Sequence, residues 1–136
     1  MYLQNLKLNN FKNCQSAELS FSEKINCFVG LNAAGKTNVM DSIYYLAFCK
    51  SYFSLTDKQN IKHEEDYFAI HGDFRFDNDE IHTISCVQKN ASKKSFRCDK
   101  KEYERLADHI LKKPSAVLQP ESKRIHTIKS GSSLFI

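Results

Sequence analysis

Apolar and polar residues alternate at the start of the chain, with Leu6 and Leu8 on one face of residues 2–8. A period of two is the pattern of a half-buried strand. The polar "NNFKN" interrupts it as a turn, and Ala17, Leu19 and Phe21 resume it. Two strands, over 2–8 and 17–21, are therefore predicted to form a hairpin. Residues 25–29, "INCFV", are nearly continuous in apolarity, which predicts a short buried strand. The period then changes. Val39, Met40, Ile43, Tyr44, Leu46 and Ala47 recur at helical spacing, so a helix is expected from Lys36 to about Lys50.

The following stretch, residues 51–66, is polar and irregular and reads as a loop. Residues 67–76, 80–89 and 94–98 predict three antiparallel strands, joined at Asp77-Asn78-Asp79 and at the polar "NASKK". Tyr103, Leu106, Ala107 and Ile110 form one stripe, which predicts a helix over 101–112 ended by Pro114. "SAVL", residues 115–118, reads as a further buried strand, and the remainder shows weak periodicity.

Composition narrows the class. With 136 residues, 41% hydrophobic and 26% charged, the chain suits one globular domain. No apolar run approaches the roughly 20 residues that span a bilayer. A net charge of +4 is compatible with a phosphate-bearing partner but does not demonstrate one. The five cysteines (14, 27, 49, 86 and 98) are odd in number, lack a CxxC pair and follow a polar N-terminus. Reduced thiols and a cytoplasmic location are the expectation. The histidines show neither HExxH nor zinc-finger spacing. His82 and Cys86 share one face of an alternating run, but two ligands make no zinc site, so side-chain metal ligation alone is not expected.

Two of the chain's four glycines fall within six residues, between the apolar run and the helix. Gly30-Leu31-Asn32-Ala33-Ala34-Gly35-Lys36-Thr37 fits G-x-x-x-x-G-K-[ST] in full. The glycines let the loop aim successive N–H groups at one phosphate. Lys36 supplies a charge for the β- and γ-phosphates, and the Thr37 hydroxyl suits a place on Mg²⁺. The helix that starts here directs its unpaired N–H groups and positive dipole end at the anion. No NKxD base-recognition motif of a GTPase is present.

The block "LKLNNFKNCQSAELSFSEKINCFVGLNAAGKTNVMDSIYYLAFCKSY" resembles the start of the RecF family of bacterial recombination-mediator ATPases. More broadly it is similar to ABC-type ATPases of the SMC group. The "NF[KR]N" turn, its spacing to the P-loop, and "KTN" leading into a "D-[AS]-I-Y-Y-L" helix carry the resemblance. It spans residues 1–120, most specifically 1–52, and "KKEYERLADHI" before a short apolar strand and a proline also fits it. It implies an α/β P-loop NTPase of the ABC/SMC head type: its N-terminal part, with an inserted antiparallel β segment. On that reading residues 1–136 are a single, incomplete head with a divergent tail over 120–136.

The resemblance further implies binding of ATP with Mg²⁺, an ATP-dependent homodimer, and binding to duplex DNA beside single-stranded gaps. It also implies RecO- and RecR-type partners and work in DNA replication, gap repair and the SOS response. On the family pattern Lys12 would lie near the nucleotide, though a solvated turn lysine is an equal reading. Gln119 would be the Q-loop glutamine, or a polar residue at a strand end. No signature motif and no apolar run ending in Asp-Glu occurs here, and "KSGSSLFI" is read as tail. The chain alone is therefore expected to bind ATP without hydrolysing it. Lys93, Lys94, Arg97, Lys100 and Lys101 cluster at a hairpin end, as a DNA-backbone contact or as solvated surface. Phe11, Tyr52 and Phe53 could stack on a base, but core packing is the expectation. Two other readings stay open: another SMC-like or OLD-nuclease-like head, and a truncated, non-catalytic nucleotide- or partner-binding fragment.

Overall fold

The computed structural model describes residues 1–31, 35–103 and the backbone of 133–135. The predicted hairpin is present as β1 (Tyr2–Phe11) and β2 (Cys14–Ser20), paired antiparallel with Leu8 opposite Ala17. After β3 (Cys27–Val29), helix α1 runs from Lys36 to Phe48. A 3-10 turn, Asp57–Asn60, lies within the segment read as a loop, and Thr56 and Gln59 close a capping box at its start. The antiparallel strands follow as β4 (Tyr67–Arg75), β5 (Ile81–Lys89) and β6 (Ser95–Cys98), then β7 (Lys101–Glu102) and β8 (Ser133–Phe135).

Six of these strands form one antiparallel sheet in the order β2-β1-β4-β5-β6-β7, so the N-terminal hairpin and the 67–102 meander are one surface. The core lies between one face of that sheet and α1. Leu6 and Leu8 of β1, Phe68, Ile70 and Phe74 of β4, Ile84 and Cys86 of β5 and Phe96 of β6 supply the sheet side. Ile43, Tyr45 and Leu46 supply the helix side. Register makes this layer continuous, because Leu8 pairs with Ile70 and Ile70 with Cys86. Period-two alternation then turns all these side chains to one face. Phe11 and Phe68 meet edge to face, 5.3 Å apart, and Tyr45 closes the cluster by stacking on Phe96. Gly72 of β4 admits the helix closely: a Cβ there would lie 2.6 Å from Leu46 Cδ1.

Two expectations change. Lys101 and Glu102 do not begin a helix but form β7, pairing with Cys98 and Arg97. The turn explains it. Asp99 and Lys100 both have positive φ, 49° and 70°, which is the two-residue geometry that joins hairpin strands. The apolar stripe starts only at Tyr103, and residues 104–112, "SAVL" and most of the tail lie outside the described residues. Ser133–Phe135 of the "KSGSSLFI" tail pairs antiparallel with β3, Val29 opposite Ser133.

The second change concerns β3, which is not buried on both faces. Cys27 and Val29 are exposed, and Phe28 is half-buried against Phe21. An apolar run carries strand propensity in its own sequence, but the surfaces that cover it must come from elsewhere.

Candidate nucleotide-binding site

The P-loop connects β3 to α1, so a strand end and a helix start hold its two ends. Gly35 occupies the N-cap of α1 with φ 90° and ψ 0°, a conformation that L side chains rarely adopt. A Cβ there would meet no atom of the described residues within 4 Å. Among the described residues no side chain caps α1, and its first turn carries no acidic residue. Among the described residues nothing compensates the first-turn N–H groups or the positive dipole end, which is the requirement for an anion site.

Lys36 Nζ donates to the carbonyl oxygens of Gly30 (2.5 Å) and Leu31 (2.7 Å), so the ammonium spans the loop from its far end. Thr37 is exposed on the same first turn. Beside them lies a cavity of about 550 Å³, lined by Gly35, Lys36, Asn38 and Val39 at the helix start and by residues of β1, β2 and β3, Leu8, Leu19 and Phe28 among them. The chemistry of these groups suits a polyphosphate: backbone donors at a helix start, one lysine ammonium, and an exposed hydroxyl of the type that can ligate a metal. Asn32, Ala33 and Ala34 lie outside the described residues, as does Gln119.

Lys12 is not a solvated turn lysine. It lies at the β1–β2 turn with φ 54°, its side chain only 16% exposed, and its Nζ is 2.5 Å from Asp41 Oδ2. Asp41 sits on α1 with no exposed side-chain surface and also accepts from Ser51 Oγ (2.6 Å) and Tyr52 N–H (2.7 Å). The adjacent Asn13 accepts a hydrogen bond from Asn38 Nδ2, one residue beyond Thr37. The hairpin turn is therefore held against the P-loop helix. Sequence reasoning did not single out Asp41. The available signal was a carboxylate among the apolar positions of the helix, between Met40 and Ile43.

The basic cluster divides. Lys94 Nζ turns inward, donating to Cys49 O (2.6 Å) and pairing with Asp57 (2.7 Å) over the Tyr45 ring. It is a structural cation, not part of an exposed basic face. Lys93, Arg97, Lys100 and Lys101 are exposed. The aromatics divide as well: Phe11 is buried, whereas Tyr52 and Phe53 are 70% and 59% exposed, against the expectation of core packing. Lys12 Nζ lies 5.3 Å from the centre of the Phe53 ring.

Residues 1–132 match the family model described as AAA ATPase domain. The chain belongs to the AAA ATPase domain family. Within this family it resembles proteins named DNA replication and repair protein RecF. It is 46% identical to that of Phocaeicola vulgatus over 132 residues, covering 97% of this chain and 35% of the relative. With that of Flavobacterium johnsoniae it shares 43% over 123 residues, covering 90% and 34%. The chain thus spans about a third of the length of these relatives and corresponds to their N-terminal part.

Among solved structures, this AAA ATPase domain superposes on the recombination mediator protein RecF–ATP of the RecFOR pathway with a TM-score of 0.73 and 27% identity, covering 77% of this chain and 28% of that one. It superposes on an SMC ATPase, from work on ATP-driven dimerization, with a TM-score of 0.77, covering 95% and 87%. At 18% identity that likeness shows the fold alone. The P-loop ATPase head and the RecF resemblance read from residues 1–120 are both shown by these matches. No helix among the described residues is long and apolar enough to cross a membrane.

Proposed function

We propose that this chain provides the ATP-binding P-loop lobe of a RecF-type ATPase acting in DNA replication and repair. One observation carries the reading: α1 opens on a left-handed Gly35, with no side-chain cap or first-turn acid among the described residues, and Lys36 Nζ reaches the carbonyls of Gly30 and Leu31. Gly30 to Thr37 hold the triphosphate, with Lys36 on the β- and γ-phosphates and Thr37 as a Mg²⁺ ligand. The metal, when bound, neutralises charge on the phosphate oxygens. Lys12 reaches the nucleotide from the hairpin turn, with Asp41 fixing its position. The names of the relatives support the nucleotide and the repair role.

The finer parts of the proposal follow the same family. The ATP-bound form is a homodimer clamped on duplex DNA beside a single-stranded gap, working with RecO- and RecR-type partners in the cytoplasm. Lys93 and Arg97 contact the DNA backbone; Lys94 does not, because Asp57 holds it. No apolar strand ending in Asp-Glu occurs in the sequence, so the chain by itself lacks the acidic pair that completes a hydrolytic site. Binding is therefore proposed without turnover. Equilibrium dialysis with Mg·ATP, followed by a phosphate-release assay, tests it. Saturable binding with background phosphate release is expected. Absence of binding up to millimolar ATP rejects the nucleotide site, and steady release that depends on Lys36 rejects the proposed lack of turnover.

A further inference from the structure

At the sheet edge remote from β2, three side chains with metal-binding atoms converge. Ile84 of β5 pairs with Cys98 of β6, so both project to one face, and His82, two residues before Ile84, lies diagonally across from Cys98. The Asp99-Lys100 turn folds the Asp99 carboxylate back over β5. Thr83 N–H donates to Asp99 Oδ1 at 2.9 Å, and Asp99 N–H donates to Thr83 O at 2.9 Å. The other oxygen, Oδ2, lies 2.5 Å from His82 Nδ1 and 3.6 Å from Cys98 Sγ. All three donor atoms fall within 4.8 Å of one another.

We propose that His82, Cys98 and Asp99 form a zinc site, with water as the fourth ligand. The donor set suits a borderline-soft ion: one imidazole nitrogen, one thiolate and one carboxylate oxygen. The spacing of the thiol and the carboxylate suits it too. Tetrahedral zinc places a sulfur and an oxygen ligand about 3.5 Å apart, and Cys98 and Asp99 are at 3.6 Å. A nitrogen and an oxygen ligand belong about 3.3 Å apart. His82 and Asp99 are closer, at 2.5 Å, because they share a proton. Zinc replaces that proton once the two side chains part by less than about 1 Å, on the same bond lengths.

A second observation points the same way. The ring nitrogen that would not bind metal, His82 Nε2, faces Glu80 Oε2 at 3.6 Å. A carboxylate on the outer nitrogen orients a ligating histidine and raises its basicity. The Phe76 ring, edge-on at 5.0 Å, restrains the imidazole further. On binding, the imidazole proton resides on Nε2 toward Glu80, and the Cys98 thiol proton passes to solvent. The site would pin β5 to the β6–β7 turn. His82 thus finds its partners in Cys98 and Asp99, not in Cys86, which is buried in the core.

The test is titration of the full chain with Co²⁺, followed by Zn²⁺ competition, with circular dichroism confirming that each variant is folded. A thiolate-to-cobalt band in the near ultraviolet, complete at one equivalent and lost on adding Zn²⁺, is expected. Cys98→Ser should abolish the band while Cys27→Ser, at an exposed thiol, retains it. His82→Gln should weaken Co²⁺ binding by at least about tenfold, and Glu80→Gln by about tenfold. Absence of the band, its survival in Cys98→Ser, or unchanged affinity in His82→Gln would overturn the proposal and leave His82 and Asp99 as a hydrogen-bonded pair alone.

Discussion

Lys12 and Asp41 form an ion pair in which the carboxylate has no exposed side-chain surface. The pair joins the β1–β2 turn to the helix that follows the P-loop, and Ser51 and Tyr52 bring the post-helix loop to the same carboxylate. Removing one partner strands a buried charge. Asp41→Ala and Lys12→Ala should each lower stability by about 3–5 kcal/mol, read by urea denaturation. The double variant should cost clearly less than the sum of the two. Additive losses would show that the two side chains are not coupled.

Gly35→Ala isolates backbone strain, because the new Cβ meets no atom of the described residues within 4 Å. A left-handed residue other than glycine costs about 1–2 kcal/mol. Thermal unfolding should reveal that loss, and Gly35→Asn should lose less. A fully stable alanine variant would mean that the loop does not require positive φ.

Gly72→Ala is the contrasting case, at a closed position. Its Cβ would sit 2.6 Å from Leu46 Cδ1 and 3.1 Å from both Leu3 Cδ1 and Phe74 Cε2. Overpacking of this kind costs about 1–3 kcal/mol. Leu46→Ala in the same chain should recover part of that loss by making room. No recovery would place the clash elsewhere.

The basic cluster should separate under mutation. Lys94→Ala removes the charged donor to Asp57 and Cys49 and should cost about 1.5–3 kcal/mol. Lys93→Ala and Arg97→Ala should leave stability within about 0.5 kcal/mol. If DNA is bound here, reversing Lys93 and Arg97 should flatten the dependence of affinity on salt. An unchanged slope would return both residues to plain solvated surface.

His71 gives the fold a pH dependence. Burial lowers its pKa below the ordinary 6.5, with nearby Lys7 acting the same way and Asp73 opposing. The unfolded chain therefore takes up the proton first. Stability should be full above about pH 6.5 and decline as the pH falls from there toward the lowered folded value. His71→Gln should remove that part of the decline in denaturation curves from pH 7 to 5. An identical decline would assign it to other groups.

Much of this was legible because the signals are local. The P-loop is a contiguous string whose residue types are dictated by phosphate, and alternation alone located β1, β4 and β5. What stayed hidden depends on partners distant in sequence. Lys94 and Arg97 look alike in a string, and only Asp57, thirty-seven residues before Lys94, draws one inward. Asp41 meets Lys12 because the hairpin turn packs on the helix. Lys101 and Glu102, read as the start of a helix, are a strand instead, because two positive-φ residues made a hairpin turn where charge and periodicity were silent. Tyr52 and Phe53 have core chemistry, yet no core among the described residues covers them.

The most direct test of the account is calorimetric titration of Mg·ATP into the wild-type chain and into Lys36→Ala. Lys36 makes charge-assisted contacts with the phosphates worth about 1.5–3 kcal/mol, or roughly 10–150-fold in affinity. Saturable micromolar-to-millimolar binding is expected, weakened by that factor in a variant with an unchanged melting temperature. Equal dissociation constants for the two folded proteins would contradict it and remove Lys36, with the P-loop, from the nucleotide site.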